Sequence, residues 1–237
     1  MSGLVFIISA PSGSGKSTLV AEIQKLVKDL DFSVSYTTRK PRGSEKNAKE
    51  YYYVDRAEFE RMIDEEAFLE HADVFGNYYG THERFLEEAH ARGNDLLLDI
   101  DVQGASQVRK ALPREMRVSI FVLPPSRQEL ETRLKLRSSA ENVQDQAIIQ
   151  RRLQTASREI ENYREYDYIL VNDVLVDSIK KLKAIIMTER CKHAGGTPTA
   201  EDREMQELAE RCLLANAQAR VQPILASFAQ EPTALGK

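Results

Sequence analysis

The chain has 237 residues, 42% of them hydrophobic and 30% charged, with a formal net charge of -4 and a pI near 5.7. That length buries a substantial core, and that charge excludes bulk electrostatic binding to nucleic acid or to a membrane surface. The two cysteines, Cys191 and Cys212, have no CxxC spacing; they exclude a disulfide framework and point to a reduced, cytoplasmic protein.

Residues 3–9 are a short, branched apolar run, the pattern of a buried strand. The run LVFII within it is too short to span a membrane and has no basic leader, so it is not read as a signal peptide. Helical spacing follows over 17–30, through Leu19, Ile23, Leu26 and Val27. Residues 33–79 change character: they are rich in Tyr, Arg, Lys and Glu, with short strand-like pieces around a predicted helix at 56–66. Another helix is expected at 81–92. DLLLDID, residues 95–101, reads as a second apolar strand ending in carboxylates, and 118–123 as a third. Helices are predicted at 126–137, 145–163 and 174–190, with a strand at 168–171. Strands alternating with helices imply a parallel sheet covered on both faces, a three-layer α/β/α architecture. A linker of Gly, Pro and Thr spans 193–198. Thr199 is placed to cap a helix with Asp202 three residues on. Met205, Leu208, Ala209, Cys212 and Leu213 form one apolar face of that helix. Beyond Pro223 the chain is expected to fray.

SAPSGSGKSTL, residues 9–19, lies between the first strand and the first helix. The full phosphate-loop pattern is G-x-x-x-x-G-K-[ST], and Ala10 stands where its first glycine belongs. Only a methyl group is added, which is acceptable where φ stays negative. Ala10, Pro11, Ser12, Gly13, Ser14 and Gly15 read as a nucleotide-phosphate cradle in which backbone N–H groups face the anion. The following helix, with Thr18 in its first turn, adds its positive end. Gly13 and Gly15 supply backbone freedom where the turn is tightest. Lys16 brings a mobile charge to the transferred phosphate, and Ser17 offers its hydroxyl to magnesium. The loop names a nucleotide phosphate, not a reaction.

That loop is followed by SYTTRKPR (35–42), YYYV (51–54), FLEHADVFGNYYGT (68–81) and LLLDIDVQGA (96–105). In this order the motifs resemble those of the guanylate kinase family over roughly residues 4–190. The resemblance implies a P-loop NTPase core with an inserted GMP-binding subdomain and a lid. It also implies transfer of the terminal phosphate of ATP to GMP, and by extension dGMP, with Mg2+. The implied GMP-phosphate ligands are Arg39, Arg42, Tyr51 and Tyr79; arginine suits a doubly charged phosphate because it binds in a two-pronged way. Glu70 matches the guanine-binding glutamate, whose carboxylate accepts from the ring N–H and the exocyclic amine together. Ser35 and Thr81 match the hydroxyl contacts to the base. Taken alone, SYTTRKPR also reads as a solvated basic loop.

Asp99 and Asp101 end the second strand, where ligands bind in parallel sheets. Asp99 is read as orienting the acceptor and Asp101 as organising magnesium through water; both also read as helix-capping acids. Arg133 and Arg137 share a helix face, and with Arg152 they resemble the lid arginines that close over ATP when both substrates are bound. Asn172 resembles the adenine-side contact. An attacking phosphate is already ionised above a pKa of about 6, so no strong general base is required.

The sequence departs from the family pattern at Gly43, one place early, and at Ala48, where a glycine is usual. The expected organisation is a domain at 1–195, with its core at 1–32 and 93–190, an insert at 33–92 and a lid near 138–150. A C-terminal helical extension at 196–237 completes it, as a monomer or homodimer. Two other functions share parts of this pattern: a non-catalytic peptide-binding module of the same fold, and a phosphotransferase acting on a ribose phosphate. The intact Gly15, Lys16 and Ser17 argue against the first, and Glu70 with Ser35 and Thr81 against the second.

Overall fold

The computed structural model describes residues 3–74, 76–140, 146–195 and 197–229, with residues 137, 139 and 140 placed by their backbone. In chain order the elements are β1 (Val5–Ser9), α1 (Lys16–Leu26), β2 (Leu30–Phe32), β3 (Tyr36–Thr37), β4 (Tyr52–Tyr53), α2 (Arg56–Asp64), β5 (Phe68–Val74), β6 (Asn77–His82) and α3 (Arg84–Arg92). There follow β7 (Asp95–Asp99), α4 (Val102–Ala111), β8 (Arg117–Leu123), α5 (Arg127–Ala140), α6 (Gln146–Ile160), β9 (Tyr168–Val171), α7 (Leu175–Ala194), α8 (Ala200–Glu210) and α9 (Leu214–Ala229). The chain divides into two compact units, one of residues 1–8 and 27–118, the other of residues 9–26 and 119–237.

In the first unit β7 pairs in parallel with β1 from Val5↔Leu96 to Ile8↔Asp99, and with β2 from Leu30↔Asp95 to Phe32↔Leu97. Val5 to Ile8 and Leu96 to Leu98 are essentially sealed from water. Such unbroken apolar runs belong to parallel strands buried on both faces. Asp95 ends this core with a purpose: its carboxylate accepts from the Leu4 N–H at 2.6 Å. A second sheet, ordered β4-β3-β6-β5, is built from the polar stretch 33–82. Its outer pair β5–β6 is an antiparallel hairpin running from Phe68↔His82 to Val74↔Asn77. Phe59 of α2 stacks on Phe68 and Tyr78, which gives this sheet its own small core.

In the second unit β8 and β9 pair in parallel from Ile120↔Tyr168 to Leu123↔Val171. Helix α1 packs on α7, α7 on α8, and α5 on α6, while α9 lies against α5, α6 and β9. Among the described residues no helix is long and apolar enough to cross a membrane.

Four expectations are corrected. The first helix does not reach residue 30: α1 ends at Leu26, Asp29 takes φ 55°, outside helical geometry, and Leu30 starts β2. Thr81 lies on β6, not on a helix, because cross-strand pairing with Glu70 outweighs the helical pattern that begins only at Arg84. Cys212 and Leu213 lie beyond α8: the Cys212 carbonyl accepts from the Ile169 N–H at 2.7 Å and the Asp167 carbonyl from the Leu214 N–H at 2.9 Å, so this segment pairs with β9. The chain does not fray at Pro223; α9 continues through it to Ala229, held by the packing of Val221 and Ile224. The Thr199 cap holds as expected, with Asp202 accepting from the Thr199 N–H and Thr199 Oγ1 from the Asp202 N–H.

Candidate active site

The phosphate loop lies in the second unit, between the end of β1 and the start of α1. Gly13 and Gly15 adopt φ 91° and 86°, a region that L side chains avoid. Space enforces the same choice: a Cβ on Gly15 would overlap the Asn172 amide, and one on Gly13 would lie 3.0 Å from Leu130 and Leu134. Ala10 is buried and is absent from the described non-glycine residues with positive φ, so its extra methyl brings no strain. Lys16 opens α1 half-buried, with Ser17 and Thr18 exposed in its first turn.

Asn172 sits directly after β9, 5% exposed. Its Nδ2 donates to the Ser14 carbonyl at 2.8 Å, and its backbone carbonyl accepts from both terminal nitrogens of Arg133 at 3.2 and 3.1 Å. Arg133 Nε also donates to Glu129 at 2.9 Å. The expected adenine contact is therefore also a clamp on the loop. In a trans peptide the C=O and the next N–H point opposite ways. Pinning the Ser14 carbonyl on Asn172 turns the Gly15 N–H the other way. Arg152 is half-buried on α6. The side chain of Arg137 and residues 141–145 of the expected lid lie outside the described residues.

The residues expected to bind the acceptor lie in the first unit and form two groups. In one, the hairpin register places Glu70 opposite Thr81, and Thr81 Oγ1 donates to Glu70 Oε1 at 2.7 Å, with the two residues 4% and 1% exposed. Gly104 of α4 makes room for this carboxylate: a Cβ there would overlap Glu70 Oε2 and come within 2.8 Å of its Cδ. Gln107 fixes α4 to β5, donating to the His71 carbonyl at 2.7 Å and accepting from the His71 N–H at 3.1 Å. Ser35 precedes β3, and its carbonyl accepts from Tyr52 N–H at 2.9 Å.

In the other group, Arg39 Nη1 and Nη2 donate to the two oxygens of Glu45 at 2.9 and 3.1 Å. The Tyr53 hydroxyl and the Arg42 N–H donate to the same Glu45 at 2.8 and 2.7 Å. The guanidinium lies 5.2 Å from the Tyr51 ring centre, and Tyr51 meets Tyr79 edge-on at 5.7 Å. Burial pushes the Glu45 carboxyl up, but the Arg39, Arg42 and Tyr53 donors outweigh it and hold it at about 2. Burial, with Glu45 as its acceptor, pushes the Tyr53 hydroxyl to about 12. The Arg42 side chain is exposed.

The structure thus brings together Arg39, Tyr51 and Tyr79, and separately Glu70 and Thr81. Asp99 ends β7 half-buried. Asp101 is the N-cap of α4, its Oδ1 accepting from the Gly104 N–H at 2.9 Å and its Oδ2 from Gln103 at 3.2 Å. Among the described residues no cluster of His, Cys, Asp and Glu is built to hold a metal on its own. Sequence reasoning missed Glu45, Tyr53, Gly104 and the clamp made by Asn172. An acid six residues after Arg39 and a glycine within VQGA were the only signals available.

A family model described as guanylate kinase matches residues 2–189. The chain is 54% identical over 228 residues to a guanylate kinase of Koribacter versatilis, covering 96% of this chain and 97% of the relative. It is 49% identical over 188 residues to a guanylate kinase of Methylococcus capsulatus, covering 79% and 89% of the two chains. The crystal structure of guanylate kinase from Anaplasma phagocytophilum superposes with a TM-score of 0.66 at 34% identity, covering 87% of this chain and 94% of that one. With a family model matching most of its length and a relative 54% identical over 96% of it, the chain belongs to the guanylate kinase family.

Proposed function

We propose that this chain moves the terminal phosphoryl group of ATP to GMP, giving ADP and GDP, with the residues assigned above. It is an ATP:GMP phosphotransferase by family. The division of labour is our reading of the geometry, carried by one observation: a carboxylate, Glu70, held 4% exposed on a hairpin with a hydroxyl beside it.

A buried carboxylate needs donors, because an unpaired charge there is costly. Guanine supplies two adjacent ones, the ring N–H and the exocyclic amine; adenine presents no such pair. We assign Glu70, Thr81 and Ser35 to the base. Arg39, Arg42, Tyr51 and Tyr79 take the acceptor phosphate, and Asp99 orients the acceptor. Glu45 competes with that phosphate for Arg39, so the incoming dianion must share or displace it.

On the donor side, the loop of residues 10–15 with Lys16, Ser17 and Thr18 takes the triphosphate. Ser17, an exposed hydroxyl at the first turn of α1, suits magnesium, which prefers oxygen ligands and keeps several waters. We assign Ser17 as its direct protein ligand and Asp101 as a partner through water, a role compatible with capping α4. Magnesium supplies charge neutralisation at the phosphate oxygens. Lys16, Arg137 and Arg152 stabilise the charge that develops on the transferred group. Arg133, engaged by Asn172 and Glu129, supports that work by holding the loop. No histidine or other strong base is required, because the attacking phosphate is already ionised.

The free cysteines and the net charge of -4 suit a reduced cytoplasmic compartment without nucleic-acid or membrane partners. A coupled assay that offers ATP with GMP, dGMP, AMP, UMP and CMP in turn tests the reading. Turnover with GMP and dGMP and background with the rest is expected; comparable turnover with AMP contradicts the role of Glu70.

A further inference from the structure

Helix α9 lies beyond residue 189, where the family match ends, yet it reaches the support of the phosphate loop. Leu130 and Leu134 of α5 are buried in one cluster with Ile149, Leu153 and Ala156 of α6. One side of this cluster carries the loop: Leu130 and Leu134 are the atoms that a Cβ on Gly13 would meet at 3.0 Å. Phe228 of α9 packs against the same cluster. Next to it, Ser227 Oγ accepts from the Arg127 N–H at 3.0 Å. That N–H is one of the four at the start of α5 that no carbonyl within the helix can satisfy. Ser126 Oγ accepts from another, that of Glu129, at 3.1 Å. The N-terminal end of α5 is therefore capped in part by a residue a hundred positions away.

The root of α9 is fixed as well. Residues 212–214 pair with β9 through the Ile169 and Leu214 N–H groups, and Ala217, Val221 and Ile224 are buried. Both ends of α9 are thus tied within this unit: the first to the strand that leads into Asn172, the last to the helix that carries Arg133.

We propose that α9 is a brace for the ATP site, with Phe228 and Ser227 as positioning residues that hold Leu130, Leu134 and the start of α5 against the phosphate loop. Close-packed interiors transmit such a change: a void on one side of a leucine pair lets the pair move and withdraws contact from whatever rests on the other side. Neither residue belongs to the substrate-binding set proposed above. Their effect is confined to the donor nucleotide, which a general loss of stability is not.

The proposal rests on the kinase reading above, and binding separates the two. Full-length wild type, Phe228→Ala, Phe228→Leu and Ser227→Ala are titrated with a non-hydrolysable ATP analogue plus magnesium and, separately, with GMP, at a temperature where circular dichroism shows each to be folded. Phe228→Ala is expected to weaken analogue binding about 3- to 10-fold and leave GMP binding unchanged, with Phe228→Leu restoring most of the loss. Unchanged analogue binding, or equal loss for analogue and GMP, overturns the brace. If Phe228→Ala does not fold, Ser227→Ala decides: weaker analogue binding, about 2-fold or more, with GMP unaffected supports the brace, and wild-type binding overturns it. A wild type that binds the analogue but makes no GDP removes the kinase reading and leaves the binding ratios to judge the brace.

Discussion

Glu45 grips Arg39 through both guanidinium nitrogens and is itself held by the Tyr53 hydroxyl and the Arg42 N–H. Its carboxyl lies at about 2 against an ordinary 4.5. A carboxyl depressed on folding contributes stability that is present above pH 4.5 and is lost as pH falls through the folded value. The pair is about a quarter exposed on the Glu45 side, so solvent screening reduces its worth to about 1–2 kcal/mol. Glu45→Gln should therefore flatten the loss of stability between pH 4.5 and 2 in urea titrations; superimposable acid limbs for mutant and wild type contradict the pairing. Gly104 offers a second residue-scale test. Alanine gains about 1 kcal/mol of helix propensity over glycine, but here its Cβ displaces the Glu70 carboxylate. Gly104→Ala should therefore not raise the melting temperature, because displacing a buried carboxylate offsets the propensity gain, and should raise the KM for GMP about 10-fold; an unchanged KM contradicts the placement of Glu70. At this scale the sequence singles out residues inside strong motifs, Glu70 and Arg39 among them, and the structure buries both. The sequence is silent on Glu45 and Gly104, whose roles exist only once chain segments six and thirty-four residues away are folded against them.

At the scale of elements, the phosphate loop is a joint of three: β1 delivers it, α1 continues it, and the end of β9 clamps it through Asn172. The Asn172 amide reaches the Ser14 carbonyl across 158 positions of sequence. Asn172→Ala removes that bond and its grip on the direction of the Gly15 N–H. Steady-state kinetics should show KM for ATP rising about 10-fold, with KM for GMP within error of wild type; loss confined to GMP contradicts the clamp. The strand–loop–helix unit was readable because its signals are local: an apolar run, two glycines and a helical period. The β5–β6 hairpin was not, since NYYGTH has the strand's aromatic content but leads directly into the helical pattern of α3, and only pairing with β5 settles where Thr81 belongs. Cys212 and Leu213 were misplaced for a like reason: an apolar face continues from α8, while the backbone has left the helix to pair with β9. Ala48 shows a local signal understood only in part. It occupies φ 61°, the left-handed region a glycine would favour, at the position where the family pattern has glycine.

For the whole molecule, the donor and acceptor sites we propose are built by different means. The donor site depends on backbone shape and tight packing, with Gly13, Gly15 and Asn172 leaving no room for side chains. The proposed acceptor site depends on buried charge, with Glu70 bonded to Thr81 and Arg39 to Glu45. Recognition through shape tolerates any triphosphate of similar outline; recognition through a buried carboxylate discriminates by the donors a base presents. The architecture and the reaction were legible because their motifs are local and ordered along the chain, whereas the role of the last helix was not, since nothing in LANAQARVQPILASFA marks what it packs against. The most direct measurement is the pair of Michaelis constants for Glu70→Gln, which keeps the size of the side chain and removes its charge. The account predicts a KM for GMP raised at least about 10-fold with the KM for ATP unchanged; an unchanged KM for GMP, or an equal rise in both, contradicts it.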